Sequence, residues 1–454
     1  AGGMNGQVAG VPNQITIKNV YGSCATSGGE SINIVGNTTD FQSDVQKAIL
    51  KEMALETRTE TGEKLYEMFG VNLPASEDLK AEAEKYVRAV YADNAAEDET
   101  ISLLKDSEAA GEGFRAAFTV KDDGKYLTGG ETLTLAAPND TAATLVIPVT
   151  VKLTAPEEGG VYYIDVSVIL PPKPEAVEKL MDDIAVSYTS SSDGWTVMDM
   201  AAYGALPGKT AKTSDEAWQN ALNLLIDEAA GTKATVSDRA RIEIVLRAMG
   251  IDSGRLYPVN SNESFSNAQK LAGMDVTSGG YYAAPYLLLA DLQGSLDLTD
   301  SQIDSLINLL QQNMGGGLFG YEWDGVTYSD PDTAGAALAA LARFYETDDG
   351  AKNVVDEILG ALPDAMDETG SLGSANSDAM VILGLLAMGK DPDEFTADSG
   401  ASVVDGMLSY VNTQSGKFQY AGADNALATE QGFRALVALA AWDSGEEPYN
   451  IYDF

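Results

Sequence analysis

Histidine is absent from all 454 residues, and cysteine occurs once, as Cys24. Without an imidazole, the chain cannot build a Ser-His-Asp or Cys-His catalytic group, a histidine-ligated zinc site or a histidine proton relay. A single cysteine also excludes a disulfide within the chain. Acid–base chemistry in this protein would therefore depend on carboxylates, lysine or tyrosine.

Basic residues are scarce as well, because 28 lysines and arginines face 69 aspartates and glutamates, for a formal net charge of −41. Such a charge repels phosphate backbones and anionic lipid surfaces, so we predict no nucleic-acid partner. Long hydrophobic runs are missing too. Ala379 to Met388 is among the longest and falls well short of the roughly 20 residues that a membrane helix needs, so we predict no membrane insertion.

The pattern of apolar and polar residues changes at Pro171 to Pro174. Before the prolines, apolar and polar residues alternate in four short runs, which predicts a small antiparallel β-sandwich with strands at 114–120, 132–135, 144–153 and 161–170. Farther upstream the pattern is mixed, with predicted strands at 15–20 and 31–35 and predicted helices at 44–55, 61–69 and 76–91. We therefore predict a multidomain chain, with a mixed α+β region over 1–105, an Ig-like β-sandwich over 106–172 and an all-α domain over 173–454.

After the prolines, a largely apolar block recurs six times, beginning at residues 194, 240, 284, 334, 379 and 430. Each block is rich in alanine and leucine and predicts a buried helix. Four blocks end in a glycine suited to a helix C-cap, namely Gly204, Gly250, Gly294 and Gly389. Amphipathic helices are predicted between the blocks, at 175–188, 215–229, 264–271, 300–312, 351–362 and 403–411.

Six buried helices that alternate with six amphipathic ones predict an inner ring wrapped by an outer ring, which is an α6/α6 toroid. A HEAT-type solenoid has a similar repeat length and is the main alternative. The connections into the buried helices favour the toroid, because they repeatedly carry glycine followed by an aromatic residue, as in Gly194-Trp195 and Gly280-Tyr281. A solenoid turn does not need that combination, whereas a central cavity offers a place for it.

Two segments resemble motifs of the α/α-toroid superfamily, which includes terpene cyclases, prenyltransferase β-subunits, complement thioester domains and intrinsic factor. Gln312 to Gly317 resembles Q-x-x-x-G-G, and Ser329 to Ala334 resembles D-x-D-D-T-A with one acid missing. Segments 195–198, 428–437 and 448–454 look like a group of uncharacterised secreted or wall-attached proteins of Gram-positive gut bacteria, with Ig-like modules before a prenyltransferase-like toroid. This resemblance covers about residues 175–454 and implies an extracellular or cell-surface protein. The small, polar start at Ala1 is what a trimmed, mature terminus would look like.

The resemblance implies two kinds of chemistry. Prenyltransferases hold zinc with Asp, Cys and His, but the predicted toroid has neither Cys nor His, so we predict no metal and no cofactor. Terpene cyclases protonate an alkene with the middle acid of D-x-D-D. Asp330 and Asp332 match the first two acids, and Thr333 replaces the last. We favour the alternative that both aspartates cap the helix that begins near Thr333, and the same interpretation fits Asp238 and Asp378.

A carbohydrate-cleaving α/α barrel would need two opposed carboxylates and an aromatic-lined cleft. Acids on or next to the buried helices are Asp199, Glu243, Asp332 and Glu430. The candidate ligand-binding aromatics are Trp195, Tyr281, Tyr282, Phe319, Tyr321, Trp323, Phe418 and Tyr420. Packing within loops is the simpler interpretation of most of them, but Trp323 lies in an extended polar-aromatic loop, 321–328, that no helix packing requires.

Glu430 and Arg434 lie four residues apart on a helix that is otherwise nearly free of charge, so they should form an ion pair. Either the pair faces a cavity and binds a polar ligand, or it closes the ring between the last and the first repeat. We favour ring closure. The same two interpretations apply to a second charged group, Arg239 and Arg241 with Glu243.

These features predict a non-catalytic binding or adhesion module that recognises a glycan, a small molecule or a host protein, with Arg434 among the ligand-binding residues. The alternative is a carboxylate-dependent enzyme, terpene-cyclase-like or glycan-cleaving, with Asp330, Asp332 and Glu430 as its catalytic residues. Corrinoid binding, by analogy with intrinsic factor, is a third hypothesis. Cys24 could form the Cys-Gln thioester of some adhesins, but no Gln partner motif accompanies it, so a buried thiol is expected.

Overall fold

In a computed structural model, the described residues are 57–86, 89–92, 101–104, 113–121, 124–259, 261–292, 296, 298–323 and 325–454. The chain divides into two compact units, one of Ala1–Pro138 with Ile147–Val168 and one of Asn139–Val146 with Ile169–Phe454. It is a mixed α/β protein with several small sheets and a helical C-terminal region. The predicted strands at 15–20 and 31–35, the predicted helix at 44–55 and Cys24 lie outside the described residues. The predicted boundaries at 105 and 172 stay predictions.

The first unit combines two short helices, α1 (Arg58–Phe69) and α2 (Glu77–Ala83), with two sheets. Its strands are β1 (Val90–Tyr91), β2 (Ile101–Leu104), β3 (Arg115–Val120), β4 (Leu127–Thr128), β5 (Leu133–Leu135), β6 (Leu145–Thr154) and β7 (Val161–Leu170). One sheet has the order β1-β7-β6-β3 and the other has the order β2-β5-β4. Strands β3, β5, β6 and β7 occupy the four runs in which apolar and polar residues alternate, because alternate side chains of a strand point to opposite faces of the sheet.

The helix predicted at 76–91 is wrong in its second half. Helix α2 begins where the Ser76 side chain accepts a hydrogen bond from the amide of Leu79, but it ends at Ala83. Val90 and Tyr91 instead form β1, which lies beside β7. β-branched and aromatic residues favour strands, and the neighbouring strand satisfies the backbone groups that a continued helix would have paired internally.

Twelve α-helices follow among the described residues of the second unit. In chain order they are α3 (Pro174–Tyr188), α4 (Gly194–Ala205), α5 (Asp215–Ala230), α6 (Val236–Ala248), α7 (Asn267–Ala272), α8 (Ala284–Ala290), α9 (Asp300–Gln312), α10 (Pro331–Leu341), α11 (Asp349–Ala365), α12 (Ala375–Ala387), α13 (Val403–Ser409) and α14 (Ala426–Asp443). The even-numbered helices are the six apolar blocks and the odd-numbered helices are the six amphipathic segments. The predicted alternation of twelve helices is therefore confirmed. Within the described ranges, none of the helices has both the length and the apolarity to cross a membrane.

Contacts among the even-numbered helices form a closed cycle. Each of α4, α6, α8, α10 and α12 packs on the next even-numbered helix, and α14 packs on α4. Every residue of α12 is buried, whereas α9 buries only Leu306, Ile307 and Leu310. The even-numbered helices are therefore the inner helices. Among the odd-numbered ones, α9 covers them with a single apolar face, whereas α13 is buried over most of its length.

Two inner helices approach each other with almost no side chain between them. A Cβ atom added to Gly335 of α10 would lie 2.2 Å from the carbonyl carbon of Met380, and one added to Gly384 of α12 would lie 2.5 Å from the carbonyl oxygen of Gly335. Only glycine fits at both positions. These two glycines are therefore what allows the backbones to approach so closely.

The helix ends agree only in part with the predicted glycine caps. Gly250 and Gly389 have φ angles of 70° and 69° just after α6 and α12, a left-handed conformation that suits glycine. Gly204 instead lies inside α4. Gly294 lies outside the described residues.

Two three-stranded sheets interrupt the helices. Strands β8 (Met314–Gly315), β9 (Leu318–Trp323) and β10 (Val326–Asp330) precede α10, and strands β11 (Val411–Asn412), β12 (Lys417–Tyr420) and β13 (Ala423–Asp424) precede α14. The segment predicted as an extended loop at 321–328 is therefore an antiparallel hairpin, in which Trp323 pairs with Val326. Gly325, at a φ of 76°, makes the tight turn possible.

Candidate ligand-binding site

The candidate site lies at the amino-terminal ends of the inner helices, which we call the mouth of the ring. Capping side chains fix where five of these helices begin, namely Asp193, Thr235, Asp330, Ser374 and Asn425. The two three-stranded sheets lead into α10 and α14, and α12 packs between these two helices. The first turn of α12 is therefore flanked by helices that each carry a sheet at the same end.

Asp332 joins α10 to α12. Its carboxylate accepts a 2.7 Å hydrogen bond from Ser377 Oγ, and burial raises its pKa above the usual value despite that bond. Asp330 behaves differently, because its carboxylate accepts bonds from the backbone amide and the hydroxyl of Thr333 at 3.1 and 2.8 Å. Asp330 is therefore the N-cap, as the capping interpretation predicted. Asp332, in the first turn, is half-buried and hydrogen-bonds both its own backbone amide and Ser377 of the neighbouring helix.

Asn376 and Gln431 join α12 to α14 in the same way. Asn376 Nδ2 donates to Gln431 Oε1 at 2.7 Å, and Asn376 is almost fully buried. Together with Asp332 and Ser377, these residues place amide, hydroxyl and carboxyl groups on both sides of the first turn of α12. Asn376, Ser377 and Gln431 were not among the residues predicted from the sequence. The signal available in the sequence was the polar run that begins at the capping residue Ser374, directly before a block that is otherwise apolar.

Arg434 forms an ion-pair network between the last and the first inner helix. Its Nε and Nη2 atoms donate to the two oxygens of Asp199 at 2.6 and 3.2 Å, and Nη2 also donates to Glu430 Oε1. All three side chains are buried. The predicted pair of Glu430 and Arg434 is present, and Asp199 of α4 makes it the closing contact of the helix cycle.

Burial and charge act in opposite directions on this network. Burial raises the pKa of Asp199 to about 7, although Arg434 partly offsets the rise. The carboxylate of Asp199, in turn, raises the pKa of Arg434 above its usual value. Arg434 therefore stays charged, and its two carboxylates compete for one guanidinium group.

Aromatic residues surround Arg434. The face of Trp195 lies 4.8 Å from the Arg434 guanidinium carbon, and the rings of Tyr286 and Tyr452 lie 6.1 and 6.2 Å from that of Trp195. Trp195 was a predicted ligand-binding residue, whereas Tyr286 and Tyr452 were missed. Both tyrosines lie in largely apolar stretches, where the sequence suggests core packing.

The other predicted aromatics fall into three groups. Phe319 and Phe418 are fully buried, and Tyr281 stacks on Phe319 with ring centres 5.5 Å apart, so packing explains these three. Tyr282 and Tyr420 are more than half exposed. Tyr321 and Trp323 lie on β9, and Tyr328, which pairs with Tyr321 across the hairpin, is 43% exposed. Exposed tyrosines therefore stand on the connections into α8, α10 and α14, at the mouth.

The remaining candidate acids serve the helices around them. Asp238 completes a capping box with Thr235, as predicted. Asp378 does not cap its own helix but accepts bonds from the Leu372 amide and the Ser371 hydroxyl, at 2.6 and 2.9 Å. Glu243 accepts a bond from Asn267, which also binds Arg239, and Arg241 pairs with Glu228.

No group of three or more His, Cys, Asp or Glu side chains that could hold a metal ion occurs within the described ranges. The described groups at the mouth can form hydrogen bonds with hydroxyls and can offer aromatic faces. One half-buried carboxyl, that of Asp332, has a raised pKa and could donate a proton.

Comparisons with known proteins found no matching family model and no matching curated protein. Among solved structures, the chain is similar to the crystal structure of a family 76 glycoside hydrolase from a bovine Bacteroides thetaiotaomicron strain. That match has a TM-score of 0.32 and 12% identity, and it covers 78% of this chain and 98% of the other. Similarity at this level implies nothing about the activity of this chain.

Proposed function

We propose that the second unit is an α6/α6 toroid whose mouth binds a glycan, and that the protein is an exported, cell-surface binding module without catalytic activity. The observation that carries the proposal is the pair of polar bridges on either side of α12, Asp332 to Ser377 and Asn376 to Gln431. Sugars present many hydroxyls and one apolar face, so planar polar side chains with nearby aromatic rings suit them.

The exposed tyrosines support the same proposal. Tyr328 and Tyr420 stand on the two sheets that lead into α10 and α14, and both are at least 43% exposed. Exposed aromatic rings on the sheets that precede α10 and α14 would let a sugar stack at the same end of the helices at which the bridges lie. A small molecule or a host protein would not need both features.

Binding can be tested with a glycan array, followed by calorimetry with the soluble polysaccharides laminarin, xylan and pullulan. We expect Tyr328→Ala to weaken binding about threefold to tenfold, because an aromatic contact contributes roughly 0.5–1.5 kcal/mol. Tyr257→Ala is the matched control, since Tyr257 is also 43% exposed but follows the carboxyl end of α6. Equal losses from both substitutions, or no glycan bound at all, would contradict the proposal.

A second candidate function is glycan cleavage with Asp332 as the proton donor, which the raised pKa of its half-buried carboxyl favours. Asp330 and Glu430 suit this role less well, because one caps α10 and the other is paired with Arg434. Incubating the same polysaccharides with the protein and measuring new reducing ends tests the enzyme. Asp332→Asn should lower the turnover rate about a hundredfold or more, whereas Asp330→Asn should lower it far less.

A further inference from the structure

The last residues of the chain lie at the carboxyl ends of the inner helices, opposite the mouth. The Tyr449 amide donates to the carbonyl of Leu386 near the end of α12, and Asn450 Nδ2 donates to the carbonyl of Ala339 near the end of α10, both at 3.1 Å. Arg247 of α6 donates to the carbonyl of Tyr452 at 3.1 Å. The C-terminal segment, Pro448 to Phe454, is thus bonded to three inner helices at one end of the ring.

Arg247 extends this arrangement to a fourth inner helix. Besides Tyr452, its guanidinium donates to the carbonyls of Leu289 and Ala290 at the end of α8, at 2.8 and 3.1 Å. The last turn of a helix leaves its C=O groups without the usual i+4 donors, so Arg247 supplies side-chain donors at this end of α8. The C-terminal segment and Arg247 therefore close the carboxyl end of the ring with specific hydrogen bonds.

From that closed end, one side chain reaches the ion-pair network. Tyr452 is completely buried, and its ring meets that of Trp195 edge-on at 6.2 Å. The hydroxyl lies 4.0 Å from Met380 Sδ of α12. Burial raises the pKa of Tyr452, and the positive charge of Arg434 and a side-chain hydrogen bond with Arg434 partly offset that rise. Trp195 in turn covers the guanidinium of Arg434. Tyr452 therefore reaches the Trp195 indole, which covers Arg434, from the carboxyl end of the inner helices.

We propose that Tyr452 is a positioning residue, by which the C-terminal segment holds Trp195 and Arg434 in place from the closed end of the ring. The proposal goes beyond the proposed function, because Trp195 and Arg434 belong neither to the polar bridges nor to the exposed tyrosines that carry it, and it does not require a particular ligand. Arg434 already has Asp199 and Glu430 as partners on one side. On the other side, Trp195 covers the guanidinium with its ring face, and Tyr452 contributes a side-chain hydrogen bond, so that together they keep water away.

The test measures Arg434 directly and needs no ligand. In protein labelled with ¹⁵N-arginine, the Nε–H group of Arg434 should exchange slowly with water, and its resonance can be assigned by its loss in Arg434→Lys. We expect Tyr452→Leu to speed that exchange about tenfold or more, because water reaches the guanidinium once the ring is gone. Tyr452→Phe keeps the aromatic ring but loses the hydroxyl that bonds to Arg434, so its exchange rate should lie between those of the unaltered protein and Tyr452→Leu.

Tyr449→Leu is the matched control, because Tyr449 lies on the same segment and also packs against the core, but within the described ranges its ring does not contact that of Trp195. It should leave the Arg434 exchange rate unchanged. If Tyr452→Leu fails to fold, Tyr452→Met, which is more flexible and also lacks the aromatic ring, takes its place with the same expected result. A fall in thermal stability with unchanged Arg434 exchange would show a merely structural role and overturn the proposal. Because no glycan is present, this outcome is independent of whether the mouth binds one.

Discussion

Two contacts within the same helix cycle are built from opposite chemistry. Between α10 and α12, Gly335 and Gly384 leave the two backbones almost touching, with no charge involved. Between α14 and α4, where the last inner helix meets the first, Arg434 is buried between Asp199 and Glu430. One contact depends on the absence of side chains and the other on long, charged ones.

The difference separates close packing from specific pairing. A glycine and alanine surface lets helices approach closely, but it offers no directional bond to select one partner over another. A bidentate arginine pair has a defined geometry, and leaving either partner alone in the interior is costly. The closing contact joins segments more than two hundred residues apart, at Asp199 and Arg434. There a directional interaction would distinguish the correct partner from the other alanine-rich helices.

The largest expected effect breaks the charged contact. Arg434→Met should lower the free energy of unfolding by about 3–5 kcal/mol, because Asp199 and Glu430 would remain buried without a cation. Urea unfolding at neutral pH measures the loss. Adding Asp199→Asn and Glu430→Gln to the same chain should recover most of it. A triple variant no more stable than Arg434→Met would show that the cost is packing rather than charge.

The second effect breaks the glycine contact. Gly335→Ala should destabilise the protein by about 3 kcal/mol, because the new methyl group would overlap the backbone of Met380. Gly360→Ala in the outer helix α11 is the control, since no atom lies within 4 Å of its added Cβ. Thermal unfolding of the two variants compares them. Similar stability in both would mean that α10 and α12 can move apart at little cost.

The third prediction concerns how the stability of the charged contact depends on pH. Burial raises the pKa of Asp199 from 3.8 in the unfolded chain to about 7 in the folded one. Between these values the folded state binds more protons, so this group makes stability fall as pH rises, by at most about 1.4 kcal/mol per pH unit. Asp199→Asn cannot titrate and should flatten that slope, as unfolding at several pH values across the window would reveal. An unchanged slope would mean that Arg434 keeps Asp199 ionised throughout.

The smallest effect concerns α4 itself, away from its contact with α14. Gly204 lies inside this helix, is exposed and has no atom within 4 Å of an added Cβ. Gly204→Ala should therefore stabilise the protein by roughly 0.5–1 kcal/mol, since glycine is a poor helix former. A loss of stability measured by thermal unfolding would show that α4 is constrained beyond the Arg434 contact.

Much of the helical architecture was predictable from periodicity. The twelve helices of the second unit fall within a few residues of their predicted places, because apolar blocks and amphipathic segments differ clearly in pattern. Short elements were harder. The hairpin of β9 and β10 and the two-residue strand β1 depend on pairing with a neighbour, which no local pattern reveals.

The candidate site was predictable only in part, since Glu430 and Arg434 reveal their pairing through their spacing, whereas Asp199 precedes Arg434 by 235 positions. Likewise, nothing local links Asp332 to Ser377 or Tyr452 to Trp195. The sequence by itself determined which helices are buried and which catalytic groups a chain without histidine cannot form. It also determined that Glu430 pairs with Arg434. Only the tertiary structure decided which distant side chains meet at the mouth, because closing the helix cycle brings first and last repeats together regardless of their separation along the chain.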